Sequence, residues 1–549
     1  MIKLDQNNIH VLILSAGKIV QDLEGIFGTI PSGLIPINGK PIIFRIIDKL
    51  LDEGFSKISI TVGYRKNDLI KIIDEHYNNK VKVNFIDSDF TKSPGNSILK
   101  SIDYIKEDKL LVILGDTLVE ENLWDLIKNN GDFVLTSQNF TDPKKWCLIK
   151  NDMKFVTEIF DKKSDLEKSH DLYALIGVYY FGNLTKFREL RKHLDLEENI
   201  EISHLIEEYK KEISIKSIQC KQWYDVGHIE NYYISKKLLL QTRFFNYLKF
   251  DDVLGIVTKT SDDVQKLNDE IEWYRKIPIE LSILTPRIID SNQSTKPFIK
   301  LEYVGYPTLA ELWLFSDIHI EVWKNILSRL LNVINLFKKH SADITRQDYE
   351  SMYVNKTEER LENLISTNNY FKTVFQNKII IINDNEYKNW PVIKEKIYSK
   401  TKRLYNVMDN CFIHGDLCCS NILYDVNNGI FKMIDPRGKW SSSVFGDIKY
   451  DIAKLRHSIV GNYDSIINGL YLVEHKNNQI KIDIFKPSIY KEISTYYDKL
   501  IKKYWNIEDI KLIEGLLFIS MLPLHKESLD KQIALYSIGI QRLNEVVQI

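Results

Sequence analysis

The chain has 549 residues, too many for one hydrophobic core, so two or three domains are expected. Hydrophobic residues make up 44% and charged residues 27%, as in a soluble globular protein. The 74 basic and 75 acidic side chains leave a formal net charge of -1, which excludes a whole-chain basic field for nucleic acid.

The chain opens on "MIKLDQNNIHVLILSAG", whose apolar stretch of about five residues is too short for a signal segment and reads as a first strand. "PIIFRIIDKLLDEG" follows with helical spacing and stops at Gly54. Strand "KISITVG", helix "KNDLIKIIDEHY", strand "VKVNFID", helix "NSILKSIDYI" and strand "KLLVILGD" continue the alternation. Such βαβ units predict an α/β domain with a mostly parallel, Rossmann-like doubly wound sheet, in which ligands lie beyond the carboxyl ends of the strands. "LSAG" and "LGD" mark two such ends.

Past Asn231 the pattern changes. "YYISKKLLLQTRFFNYLKF" is an amphipathic bridge without Gly/Ser-rich character, so a rigid domain junction is expected there. "VLGIVTKTS" reads as strand and "VQKLNDEIEWYRKI" as helix. Helices dominate from Asp317 onward, interrupted by the β-rich patch "FIHGDLCCSNILYDVNNGIFKMIDPRG". No apolar run approaches a membrane span. The five cysteines (Cys147, Cys220, Cys411, Cys418, Cys419) show no C-x-x-C spacing, which argues against a disulfide framework or a zinc site and for reduced thiols in a cytoplasmic protein.

The β-rich patch carries a chemical logic. Asp416 sits in a His-Gly-Asp turn, Asn421 follows five residues later, and Asp435 ends "IFKMID". Phosphoryl transfer needs one carboxylate to orient the attacking hydroxyl, and an amide with a second carboxylate to hold Mg²⁺ against the nucleotide phosphates. These three residues have that chemistry in that order. The segment resembles the catalytic core of the aminoglycoside phosphotransferase and choline kinase superfamily, a protein-kinase-like α+β fold acting on small molecules. By that resemblance Lys259 touches the nucleotide phosphates and Glu270 is its helix partner, with Glu272 competing. Glu302 and Tyr303 would meet the base through their backbone, and Asp447 and Asp451 are candidate structural or acceptor-orienting groups. The resemblance covers 245–549. His414 reads as a core or turn histidine. "IDPRG" departs from the Asp-Phe-Gly form, and "NYLKFDDVLG" has no glycine-rich phosphate loop.

The N-terminal part resembles the sugar-1-phosphate nucleotidyltransferases, and a domain over 1–235 is expected. "SAGKIVQDLEGIFGTIPSGLIPINGKP" keeps Ala16 and Gly17 of the nucleotide loop but has Ser32 where that family has a lysine, and lacks its loop arginine. The resemblance implies that Gly95 and Asn96 lie near the base and that Asp116 and Asp225 are the metal ligands. Asp161 and Lys162 stand for the family's Glu-Lys pair, and Gly177 sits beside the acceptor. Lys18 is the nearest replacement cation for the triphosphate, with Lys162 as helper, while Lys40 supports the loop and following helix. Taken together, the resemblances imply a bifunctional enzyme. It would phosphorylate a small sugar, polyol or amino alcohol with ATP, then transfer an NMP from an NTP, CTP favoured, to that phosphate. Mg²⁺ is the implied cofactor, and the product would feed a bacterial surface polysaccharide. A second reading keeps the kinase and makes the N-terminal domain a non-catalytic binding module.

Overall fold

Six consecutive apolar or aromatic-like residues of "IHVLIL" form β1 (Ile9–Leu14), buried along its whole length, as suits a central strand covered on both faces. The computed structural model describes residues 5–78, 80–140, 142–162, 169–196, 198–240, 246–440 and 443–547, in two compact units, Met1–Leu239 and Leu240–Ile549.

In the first unit β1 is followed by the short β2 (Pro36–Ile37) and β3 (Lys40–Pro41), then β4 (Ile58–Val62), β5 (Val83–Asp87), β6 (Lys109–Leu114) and β7 (Thr117–Val119). β8 (Phe133–Ser137), β9 (Cys147–Asp152), β10 (Phe155–Asp161), β11 (Tyr173–Phe181), β12 (Lys216–Gln219) and β13 (Trp223–Asp225) complete it. The large sheet has the order β5-β4-β1-β6-β11-β8-β12-β10-β9. Its first four strands are parallel, joined through helices such as Ile42–Asp52, whose Ile42, Ile43, Ile46, Ile47 and Leu50 are buried. Gly54 ends that helix at a φ of 89°, which a glycine adopts without steric cost.

The expectation of a mostly parallel sheet needs correction, because the other half is mixed. β11 runs antiparallel to both β6 and β8, and β9 and β10 form a hairpin. The physical reason is the turn at Met153 and Lys154, both left-handed, which returns the chain at once instead of sending it over the sheet face. β13 pairs with β7 just beyond the end of β6.

The second unit opens with an antiparallel sheet, β14 (Asn246–Asp251), β15 (Ile256–Ser261), β16 (Ile288–Asn292) and β17 (Phe298–Glu302), in the order β14-β15-β17-β16. The helix Val264–Lys276, capped by the Asp263 carboxylate on Lys266 N, buries Leu267, Glu270, Ile271, Trp273 and Tyr274. The remainder is mainly helical, with β18 (Ile379–Ile382), β19 (Asn385–Lys388), β24 (Tyr471–Lys476) and β25 (Gln479–Ile484) in one small sheet. β20 (Asn410–Phe412) pairs with β23 (Phe445–Asp447), and β21 (Ile422–Asp425) forms a hairpin with β22 (Ile430–Met433). The expected bridge is split: a helix ends at Leu238 and β14 opens at Asn246, while residues 241–245, where a rigid junction was expected, lie outside the described residues. No helix among the described residues is long and apolar enough to cross a membrane.

Candidate active sites

In the first unit the carboxyl ends of β1, β4, β5 and β6 converge. Gly115 N donates to Leu14 O (2.8 Å), and Tyr64 N to Ala16 O (2.8 Å). A Cβ on Gly63 would fall 2.6 Å from Ser88 O and 2.8 Å from Ala16 O, so the strand ends pack backbone to backbone. Gly17 faces open space. Ser32 N donates to Gly17 O (3.1 Å), which holds the 31–34 turn against the loop after β1. Lys18 pairs with Glu24 (3.0 Å) and its side chain is 52% exposed. Lys40 forms an ion pair with Asp48 on the next helix, the supporting position expected of it.

The pairing of β7 with β13 sets Asp225 opposite Thr117 and brings its carboxylate to that of Asp116. A Cβ on Gly227 would lie 2.8 Å from Asp116 Oδ2 and 3.3 Å from Asp225 Oδ1, so both acids line one small space. Burial, and next the charge of Asp225, push the Asp116 carboxyl up to about 6. Asp225 is ordered by three donors: Gly227 N (2.9 Å), His228 Nδ1 (2.8 Å) and Asn231 Nδ2 (2.7 Å). His228 is raised above its ordinary value, first by that hydrogen bond. Two buried carboxylates with hard oxygen donors suit Mg²⁺, since a cation removes the repulsion that otherwise protonates one of them.

Gly177 lies in β11 at a φ of 86°, and a Cβ there would come within 2.8 Å of the Leu114 side chain, so it lets β11 approach the end of β6. Asp161 ends β10 and accepts from Ser203 Oγ (2.8 Å); Lys162 is left-handed and donates its N–H to Trp146 O (3.3 Å). Burial, then the charges of Cys147, Asp161 and Asp116, raise the Tyr179 hydroxyl above its ordinary value. Gly95 and Asn96 are turned inward. The Asn96 amide donates to Leu196 O (3.0 Å) and Glu198 O (2.8 Å) and accepts from Ile200 N (2.9 Å). A Cβ on Gly95 would collide with Ile200 O. The pair therefore clamps the 196–201 segment, and the Asn96 side chain has its hydrogen bonds spent there.

In the second unit Lys259 on β15 is buried and donates to Glu270 Oε1 (2.9 Å), Glu270 Oε2 (2.7 Å) and Asp435 Oδ1 (2.8 Å). Glu272 points elsewhere, to Lys276 and Lys439. Asn421 donates to Asp416 O (2.9 Å) and Asp416 Oδ2 (3.2 Å), and its own carbonyl O accepts from Ile434 N (2.9 Å). These contacts join Glu270, Lys259, Asp435, Asn421 and Asp416 into one constellation. Asn421 and Asp435 flank the β21–β22 hairpin, with Asp435 left-handed at a φ of 53° just past its end. Asn421 Oδ1 is buried with no hydrogen-bond partner among the described residues. An orphaned amide oxygen beside a carboxylate is a fitting pair of donors for Mg²⁺.

The turn that presents Asp416 is built from below. Asp451 accepts from His414 N (2.7 Å) and Gly415 N (2.8 Å), and burial pushes its carboxyl up to about 7. His414 donates from Nε2 to Ile434 O (3.1 Å) and accepts Asp416 N at Nδ1 (3.3 Å); burial lowers it to about 4, so it is a neutral turn histidine. Asp447 is buried, accepts from Tyr353 OH (3.1 Å) and pairs with Lys449 (3.3 Å), which also holds Asp409. Its carboxylate belongs to that internal network, which suits a structural role. Tyr303 donates its backbone N–H to Gly255 O (2.8 Å), and Glu302 N donates to Arg287 O (2.9 Å), so both hinge amides are used within the sheet.

Sequence reasoning missed Lys454, which pairs with Asp416 Oδ1 at 2.8 Å. It lies in "YDIAKL", three residues after Asp451, so one helical turn links it to the acid that orders the Asp416 turn. His228 and Asn231 were missed too, although "DVGHIEN" sets them three and six residues after Asp225.

The nucleotidyl transferase family matches residues 11–242, and the N-terminal part of the chain is a nucleotidyl transferase domain. The UTP–glucose-1-phosphate uridylyltransferase AglF of Haloferax volcanii is 32% identical over 120 residues, covering 22% of this chain and 48% of that protein. The bifunctional protein GlmU of Methanocaldococcus jannaschii is 30% identical over 253 residues, covering 42% of this chain and 54% of that protein. The chain thus spans about half the length of these curated relatives. The structure of an inositol-1-phosphate CTP transferase from T. maritima aligns with a TM-score of 0.33 at 16% identity, over 40% of this chain and 90% of that one.

Proposed function

We propose that the nucleotidyl transferase domain works with a kinase on the same chain. Residues 245–549 transfer the γ-phosphoryl group of ATP to a hydroxyl of a small acceptor, releasing ADP. Residues 1–235 then join that phosphate to the α-phosphorus of an NTP, CTP favoured, releasing pyrophosphate. The product is a nucleotide-activated precursor suited to surface polysaccharide assembly. The observation that carries the reading is the contact set of Glu270, Lys259 and Asp435 together with the pair of Asn421 and Asp416, tied to it by the backbone bond from Ile434 N to Asn421 O, in a unit separate from the nucleotidyl transferase domain.

Asp416 orients the acceptor hydroxyl and takes its proton as the phosphoryl group arrives. Lys259, held by Glu270, binds nucleotide phosphates, and Lys454 keeps a positive charge on Asp416 Oδ1. Asn421 and Asp435 would hold Mg²⁺ in this unit, and Asp116 and Asp225 in the other. When bound, the ion neutralises charge on the phosphates. In the N-terminal domain Lys18 and Lys162 add positive charge near the triphosphate, and Gly177 leaves room for the acceptor phosphate.

A second reading, a kinase with a non-catalytic N-terminal binding module, is favoured by Ser32 at the lysine position and by the pairing of Lys18 with Glu24. Pyrophosphate release from each of the four NTPs, with a panel of phosphorylated sugars, polyols and amino alcohols, separates the two. Release that depends on Asp116 supports catalysis; binding of an NTP without release across the panel supports the module.

A further inference from the structure

Beside Asp416 the second unit gathers more positive charge than it neutralises. Arg437, two residues past Asp435, donates its backbone N–H to His414 O (3.0 Å), and its guanidinium lies 3.7 Å from the Trp440 ring centre. Lys356, the first residue of the helix Lys356–Thr367, sits 4.7 Å from the Trp440 ring and 4.9 Å from the Tyr450 ring, and donates to Tyr450 OH (3.2 Å). Arg360, one helical turn on, donates to Ser520 O (3.0 Å). With Lys454 this makes four basic side chains. Burial, then Arg437, Arg360 and Lys454, drive Lys356 well below its ordinary value, and Asp416 opposes them. Glu359 acts on Arg360 but is exposed. Asp416 itself is already engaged by Lys454.

Two further donors point at the same place. Arg437 Nε and Trp440 Nε1 are buried with no hydrogen-bond partner among the described residues, and Trp440 is only 5% exposed. A Cβ on Gly415, the residue before Asp416, would lie 2.9 Å from Arg437 Cβ and 3.3 Å from Trp440 Nε1. The orphaned donors therefore lie against the turn that presents Asp416. Half-buried basic groups crowded together, with two buried unsatisfied donors beside them, are costly unless an anion completes them. A guanidinium with an ammonium beside it suits phosphate or carboxylate oxygens. The aromatic faces of Trp440 and Tyr450, of the kind that cage a quaternary ammonium, are covered by the protein's own basic side chains.

We infer that the acceptor of the second unit is an anion: a hydroxyl compound that already carries a phosphate or carboxylate group, held by Arg437, Lys356 and Trp440 Nε1 next to Asp416. The inference deepens the kinase reading and rests on it for the fate of the hydroxyl. It also removes choline-like and other cationic amino alcohols from the acceptors, because they would meet a field of their own sign.

The test uses the full chain with Mg²⁺ and a saturating non-hydrolysable ATP analogue, and titrates inorganic phosphate by calorimetry. Phosphate is expected to bind beside the nucleotide, and Arg437→Gln and Lys356→Gln each to weaken it by roughly tenfold, the scale of one charge-assisted hydrogen bond. Circular dichroism checks that each variant is folded, and the second variant serves if the first is not. A hexose, its 6-phosphate, its uronic acid and choline, titrated in parallel, distinguish phosphate from carboxylate recognition. Four outcomes overturn the inference: no phosphate binding, equal binding in the variants, displacement of phosphate by the nucleotide analogue, or choline bound as well as the anions. ATP turnover in wild type and Asp416→Ala tests the kinase reading separately. Phosphate binding as expected without any Asp416-dependent turnover leaves the anion site and removes the kinase. Asp416-dependent turnover on a neutral or cationic acceptor does the reverse.

Discussion

Lys259 has three carboxylate oxygens within hydrogen-bond reach, and each constrains where its charge lies. Removing Glu270 leaves a buried ammonium with Asp435 alone, which draws Lys259 away from the phosphates. Glu270→Gln is expected to lower kcat/KM for ATP by roughly a hundredfold, the cost of breaking a buried pair, while Glu272→Gln stays within about twofold. Equal losses in both variants would contradict the assignment. Spacing along the helix could not separate the two glutamates, because both "NDEIEW" positions are acidic and only packing decides which faces β15. A similar limit applies to Asn96: its residue type suits base recognition, yet its partners at 196–200 are a hundred residues away and invisible to a local motif. Lys18 is the clearest residue-scale test of the altered loop. Lys18→Ala is expected to lower kcat of nucleotidyl transfer about tenfold with a smaller change in NTP affinity, and Ser32→Lys to restore part of it. Unchanged kcat in Lys18→Ala would leave the phosphates to metal and backbone amides.

At the scale of elements, β1 was legible because an unbroken apolar run bounded by a Gly turn has few other solutions. The direction of β11 was not. Its apolar run reads the same parallel or antiparallel, and the hairpin before it turns at two non-glycine residues, Met153 and Lys154, that carry no turn signature. β1 also holds a titrating contact: His10 bonds Ser59 Oγ (2.8 Å) and Glu107 Oε2 (3.0 Å). Burial lowers His10 below its ordinary value of 6.5. Burial alone would raise Glu107, but hydrogen bonds from Lys57, the backbone and His10 outweigh it and hold it at about 2. In both cases the unfolded chain binds protons that the folded chain does not. Stability of the first unit should therefore fall as pH drops below about 6.5, and fall again between about 4.5 and 2. Urea unfolding of His10→Gln across pH is expected to lose the first decline and keep the second. A first decline as large as in the wild type would assign it to another group.

For the whole molecule, the division into two units lets each of the two proposed transfers be tested alone. Asp116→Asn is the mildest way to silence the first: the buried acid is already pushed towards its neutral form, and asparagine has nearly the same shape. Asp416→Ala does the same for the second. The two sets of acids were readable because each follows its own strand pattern. The cations around Asp416 were not, since Lys356, Arg437 and Lys454 come from three segments that meet only in the fold. The most direct measurement is mass spectrometry of small molecules from cells expressing the wild type, Asp116→Asn or Asp416→Ala at equal levels. The wild type should yield a nucleotide-linked compound, Asp116→Asn should accumulate the acceptor with one added phosphoryl group and no nucleotide, and Asp416→Ala should yield neither. A nucleotide-linked product undiminished in Asp116→Asn, or a phosphorylated acceptor undiminished in Asp416→Ala, would contradict two successive transfers on this chain.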